Sequence, residues 1–248
     1  MNLPYVILLS SLMGLSIFLS FPLIFSKGIK NKNMSLINSF AIGLLIFIMT
    51  DVFSDSSIII YNGSLYGYGT EPFYDIVFCF AFLLGFSIFY FIGNIRRNGK
   101  TIITVPSIIA LGIGFQNLTE GLVFGAFGAT IGFSGLIDVI LIGFTLQNIS
   151  EGFPIYSSYL NYGNNKVAPL LILFLVGGVP TIIGGVTGFY YFSKDFILFF
   201  DGLAIGSILY VILPMFKNIL NLEQKGKFNS FYFSIMIGFI TGFIVNLI

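Results

Sequence analysis

Hydrophobic residues in this chain come in long runs broken by short polar stretches. Neither the strict alternation of a half-buried strand nor the one-sided stripe of a soluble helix is sustained. About 20 apolar residues in a helix cross the ~30 Å hydrocarbon layer of a bilayer. Runs of that length lie near 4–25, 34–53, 73–94, 102–127, 133–157, 167–191, 196–216 and 229–248. They predict eight transmembrane helices in a single transmembrane domain over 1–248. The expected class is all-α, a polytopic membrane protein, because β-barrel strands would be short and alternating. The first run, Leu3 to Phe25, exceeds a signal-peptide core, has no basic residue before it and no small-x-small cleavage site after it. It reads as a retained helix.

Composition narrows the picture. Of 248 residues, 56% are hydrophobic and 8% charged, where a soluble domain has about 25% charged. A soluble enzyme would have too little polar surface, and 31 Phe with 13 Tyr rule out disorder. The single cysteine, Cys79, excludes an internal disulfide, a thiolate metal cluster and a CxxC redox pair. In the apolar third helix it reads as packing. The chain has no histidine, which removes Ser-His-Asp chemistry and His-held zinc or heme. A net charge of +1 gives no case for nucleic acid.

The charges also orient the chain. With eight spans, the odd-numbered connections hold Lys27, Lys30, Lys32, Arg96, Arg97, Lys100, Lys166, Lys217, Lys225 and Lys227, and the even ones only Lys194. The positive-inside rule makes the basic side cytoplasmic and puts both termini outside the cell membrane. Asp51, Asp55, Glu71, Asp75, Asp138, Asp195 and Asp201 fall at or near outer ends, and Glu223 inside. Asp138 is on the opposite helix face from Gln147. Tyr156, Tyr159 and Tyr162, and on the other side Tyr190 and Tyr191, read as an interfacial aromatic belt.

Two acids remain inside the bilayer. Helix four carries Gln116-Asn117-Leu118-Thr119-Glu120-Gly121, and helix five Gln147-Asn148-Ile149-Ser150-Glu151-Gly152, an offset of 31 residues. An acid at a helix centre costs about 2.5–3.5 kcal/mol on insertion scales. Gln and Glu at i and i+4 share a helix face, with Asn about 100° round. Antiparallel neighbours would bring two carboxylates and up to four amide oxygens to one cavity. A divalent cation satisfies both charges, and all-oxygen ligation suits harder ions, or zinc in an unusual setting. The alternative is polar glue between helices. Gly121 with Gly125, and Gly184 with Gly188, read as close-packing pairs.

The paired frames resemble the ZIP family of divalent-metal permeases, whose fourth helix carries His-Asn-x-x-Glu-Gly and whose fifth carries a similar motif. Gly177-Gly178-Val179-Pro180-Thr181-Ile182-Ile183-Gly184-Gly185 is similar to that family's sixth helix, and Ala204-Ile205-Gly206-Ser207-Ile208-Leu209-Tyr210 to its seventh. The resemblance implies a ZIP-like bundle of eight helices, a homodimer, and Asn117, Glu120, Asn148 and Glu151 as metal ligands. Gln116 and Gln147 occupy the positions before each Asn. The pattern departs at Gln116, at Thr119 and Ser150 in place of Pro, at Thr181 in place of Glu, and near Pro214 and Met215 where acids are common. Fewer nitrogen ligands and less negative charge imply weaker zinc binding and one metal instead of two. Zinc, manganese, iron(II) and cadmium are not separated by these ligands.

The function expected is passive or weakly coupled uptake of divalent cations toward the cytoplasm, with Asp51, Asp55 and Asp201 concentrating cations at the outer face. The cation is substrate; no cofactor is expected. The other readings are a carrier or channel for another small solute and a non-transporting scaffold or regulator. An intramembrane enzyme lacks a nucleophile with a base. The bundle is expected to centre on the four–five pair, with three helices on each side.

Overall fold

The computed structural model describes residues 1–20, 34–61, 72–94, 96–97, 100–101, 104–130, 135–161, 166–223 and 228–247, with only the backbone given for 34, 94, 96–97, 100–101, 135–139, 161, 218–223 and 228–229. Lys27, Lys30, Lys32, Glu71, Tyr162, Lys225 and Lys227 lie outside the described residues, as do the side chains of Arg96, Arg97, Lys100, Asp138 and Glu223.

Eight α-helices are present among the described residues: α1 Leu3–Leu15, α2 Met34–Ile60, α3 Pro72–Asn94, α4 Val105–Thr130, α5 Gly135–Asn161, α6 Val167–Tyr190, α7 Lys194–Glu223 and α8 Phe228–Asn246. Their order follows the apolar runs, but α2 runs on to Ile60 and α7 to Glu223, past the expected ends at 53 and 216. A 3₁₀ turn over Ser16–Leu19 extends α1, and Arg96–Arg97 pairs antiparallel with Lys100–Thr101 between α3 and α4. Local signals explain the starts. The Asn2 side chain accepts from Tyr5 N at 3.3 Å, with proline in the first turn of α1. Asp75 in α3 and Asp195 in α7 sit in first turns, where the helix dipole favours an acid.

Among the described residues, five helices are long and apolar enough to cross a membrane: Ser35–Ile60, Pro72–Gly93, Val105–Thr130, Val167–Tyr190 and Lys194–Lys217. Leu3–Leu19 and Ser230–Asn246 are shorter apolar helices. The outer surface suits lipid. Along α3, Phe73, Ile76, Phe80, Leu83 and Phe91 are exposed at helical spacing. Cys79 is exposed on the same helix, so its expected packing role does not hold. Two tyrosines also depart from the belt. Tyr156 and Tyr159 are buried, and the Tyr159 hydroxyl donates to Lys166 O at 2.8 Å, while Tyr190 and Tyr191 are exposed.

The centre is wider than the four–five pair. Helix α4 packs on α5 and α7, and α2 packs on α7 and α5, closing a ring of α2, α4, α5 and α7. Helix α6 packs on α4, α3 on α7, α8 on α2, and α1 on α6 and α5. Exchanging α1–α3 for α6–α8, and α4 for α5, maps most of these contacts onto one another. The match holds at single residues. A Cβ on Gly43 would strike Ile235 O and Phe239 N, and one on Gly206 would strike Phe82 O and Phe86 N. A Cβ on Gly238 would strike Phe40 O, and one on Gly85 would strike Leu203 O. Gly14 and Gly178 meet each other's carbonyl. Ser56, near the end of α2, donates to Asp201, near the start of α7, so the paired helices run antiparallel. The fold is therefore an inverted repeat, with its pseudo-twofold axis crossing the helices between the two polar frames.

Candidate metal centre

The side chains of both frames are buried. Gln116, Asn117, Glu120, Gln147, Asn148 and Glu151 are each at most 7% exposed. Two backbone features bring α4 and α6 close enough to seal this region. Gly121, Gly125, Gly184 and Gly188 let the helix backbones touch, with a Cβ at Gly125 striking Gly185 O and one at Gly188 striking Leu122 O. Their reading as packing residues holds. Inside α6, Pro180 removes the N–H that would pair with Val176 O, loosening the turn that carries Gly177.

The i and i+4 spacing works as expected in the first frame: Gln116 Nε2 donates to Glu120 Oε1 at 3.0 Å. Asn117 reaches across the interface. Its Nδ2 lies 2.9 Å from Asn148 Oδ1, 2.9 Å from Glu151 Oε2 and 3.0 Å from Gly177 O. Three acceptors around that nitrogen fix the amide orientation, since the flipped form would set oxygen against oxygen. Asn148 Nδ2 instead bonds back to Phe144 O at 2.9 Å. Asn148 thus spends its oxygen on Asn117, where the sequence offered it as a free ligand. Thr119 and Ser150 bond back to Gln116 O at 2.7 Å and Gln147 O at 2.8 Å, as their place in the frames suggests.

Identical frames therefore adopt unlike hydrogen-bond patterns. Gln116 Oε1, Asn117 Oδ1, Glu120 Oε2, Gln147 Nε2 and Glu151 Oε1 are buried without a hydrogen-bond partner. Asn117 Oδ1 and Glu120 Oε2 are the pseudo-twofold counterparts of the acceptors Asn117 uses on α5. Gln147 Nε2 and Glu151 Oε1 are the counterparts of the Gln116–Glu120 bond, too far apart or too poorly aligned for a full hydrogen bond although Gln147 still lies beside the Glu151 carboxylate. Buried polar atoms are rarely left so, and four of these five are oxygens. Asn117 Nδ2 holds Glu151 Oε2, which sets that carboxylate against the helix that carries Glu120. The sequence holds no Lys or Arg between Lys100 and Lys166, so neither α4 nor α5 supplies a cation. Among the described residues no group of three or more acids, cysteines or histidines gathers to hold a metal. The arrangement suits one cation bound by two carboxylates and amide oxygens, not a carboxylate-rich pair of sites.

Other expected positions fall differently. Asp201 is not a rim acid but is buried at 3% exposure, accepting from Ser56 Oγ at 2.9 Å on Oδ2. Thr119 lies beside the same carboxylate. Asp51 is half-buried and accepts from Asn246 Nδ2 at 2.7 Å, and Asp55 is exposed. Thr181 is fully buried, and its hydroxyl, without a partner, would sit 3.0 Å from a Cβ on Gly14. It faces α1. Sequence reasoning missed the second internal repeat, Asn38-Ser39-Phe40-Ala41-Ile42-Gly43 against Asp201-Gly202-Leu203-Ala204-Ile205-Gly206. The shared Ala-Ile-Gly was its signal. No protein-family model matches this chain, and no curated protein matches it either.

Proposed function

We propose that all eight helices span the membrane and that the chain carries divalent cations of the zinc, iron and manganese class toward the cytoplasm. Glu120 and Glu151 bind the ion, with Gln116 Oε1 and Asn117 Oδ1 as further oxygens and Asn148 and Gln147 beside them. One observation carries this reading: two buried carboxylates and two amides keep partnerless oxygens in a region without any basic side chain. A dication answers both the charge and the empty lone pairs. The inverted repeat supports transport, because two like halves around a central site are a common basis of alternating access. The likeness of the frames to ZIP permeases agrees with this cargo and with a homodimer in the cell membrane, both termini outside.

The test is uptake of Zn²⁺, Mn²⁺, Fe²⁺ and Cd²⁺ into proteoliposomes, wild type beside Glu120→Gln and Glu151→Gln. Either substitution removes one of two charges on the ion, and uptake is expected to fall at least about tenfold. Undiminished uptake by both variants would overturn the site. Asn117, which ties α4, α5 and α6 together, supports the glue reading for that one residue; the partnerless carboxylate oxygens do not.

A further inference from the structure

Asp201 is a buried acid that the cation site above does not use. It lies on α7, 3% exposed, with the Ser56 hydroxyl from α2 at 2.9 Å and the Thr119 hydroxyl from α4 beside it. Close α4–α7 packing fixes this placement. Rings of Phe115 and Phe200 lie 6.1 Å apart, and a Cβ on Gly112 would strike Ser207 Oγ. Helix α2 carries no basic residue, and on α7 the nearest, Lys194, begins the helix while Lys217 lies far along it. Thr119 precedes Glu120, whose Oε2 is buried and partnerless. One buried acid, two hydroxyls and an adjoining unpaired carboxylate oxygen form an oxygen-lined step next to the central site, with the exposed Asp55 near enough to add its charge.

The pseudo-twofold carries Asp201 onto Asn38, and Thr119 onto Ser150. Asn38 lies near the start of α2, at the opposite end from Ser56, and its buried Oδ1 has no partner. The counterpart of the charged step is thus a neutral amide oxygen. Glu120 is displaced from the Asn117–Asn148 contact toward the Asp201 end, and Glu151 toward the Asn38 end.

We propose that Asp201, with Ser56 and Thr119, is an outer station for a divalent cation before it reaches Glu120, and that Asn38 is its uncharged inner counterpart. This rests on the function proposed above. The unequal charge makes loading from the outer face tighter and lets the ion leave on the inner face past an oxygen that holds it weakly. Asp201 stands apart from the Glu120–Glu151 pair as a separate stop, consistent with no three acids gathering among the described residues.

The experiment measures Zn²⁺ and Mn²⁺ flux in oriented proteoliposomes, from the outer and the inner face, and reads the ratio of the two half-saturating concentrations. Wild type is expected to half-saturate at lower concentration outside. Asp201→Asn should bring the ratio at least about tenfold closer to, or past, unity. Its side-chain oxygen still accepts from Ser56, so thermal stability in detergent should hold. Asn38→Asp should shift the ratio in the same direction by tightening the inner face, and does so independently of how Asp201→Asn folds. The double exchange should invert it. A passive carrier keeps maximal rate over half-saturation equal in both directions, so maximal rates must move in step. An unchanged ratio in Asp201→Asn and Asn38→Asp, with Glu120→Gln and Glu151→Gln inactive, overturns the stations and leaves the central site standing. Wild-type flux in both Glu variants instead overturns the transport site, and the stations fall with it.

Discussion

At the residue scale, Asn117 and Asn148 show how little two equal motifs need behave alike. The Asn117 amide nitrogen serves three acceptors, on α5 and α6. Asn148 donates only within its own helix. Removing a donor that leaves buried acceptors unpaired costs about 1–3 kcal/mol, more where one of them is charged. Asn117→Ala should therefore destabilise the protein by about 2–3 kcal/mol, and Asn148→Ala by clearly less. Thermal unfolding in one detergent compares the two. Equal losses would show that the amide bridge has no preferred direction. Ser56→Ala makes a smaller claim: it removes a donor from the buried Asp201 carboxylate and should cost about 1–2 kcal/mol.

At the scale of elements, glycine decides which helices touch. On α4, Gly121 and Gly125 bring its backbone against α6, and a Cβ at Gly125 would meet Gly185 O and Phe189 N with no flexible side chain to give way. Gly125→Ala should cost about 1–3 kcal/mol through overpacking, read as a lowered melting temperature. The repeat adds a sharper expectation. Gly43→Ala and Gly206→Ala strike equivalent carbonyls on α8 and α3, so their losses should match within about 0.5 kcal/mol. The helices themselves were legible because twenty-residue apolar runs leave few alternatives. Their partners were not, because every run is apolar all round and hydropathy does not say which face meets protein and which meets lipid. Hydropathy alone therefore makes Tyr156 and Tyr159 belt residues and Cys79 a packing residue, whereas the fold buries the two tyrosines and exposes the cysteine.

For the whole molecule, both termini lie at one end of the bundle. The Met1 amino group donates to Gly128 O at 2.6 Å near the end of α4, and Asn246 near the end of α8 binds Asp51 in the second half of α2. The even number of crossings proposed above would place them so, in keeping with the alternation of basic connections. In sealed cells, single cysteines replacing Asn2 and Leu247 in a Cys79→Ser background should react with an impermeant maleimide from outside. One replacing Lys166 should react only after permeabilisation. Labelling of Lys166→Cys from outside would reverse the orientation.

The sequence by itself determined the helical class, the order and approximate ends of the helices, and the pairing of two polar frames. These follow from local chemistry: apolar length against bilayer thickness, and acids where acids are costly. Tertiary structure alone decided that α2 and α7 join α4 and α5 in the central ring, that Asp201 is enclosed, and that one asparagine bridges while its twin accepts. Those facts depend on which helix faces meet across an inverted repeat. An amide or carboxylate takes its role from neighbours on other helices, 31 to 60 residues away for Asn117 and 145 for Asp201, so spacing along one helix cannot assign it.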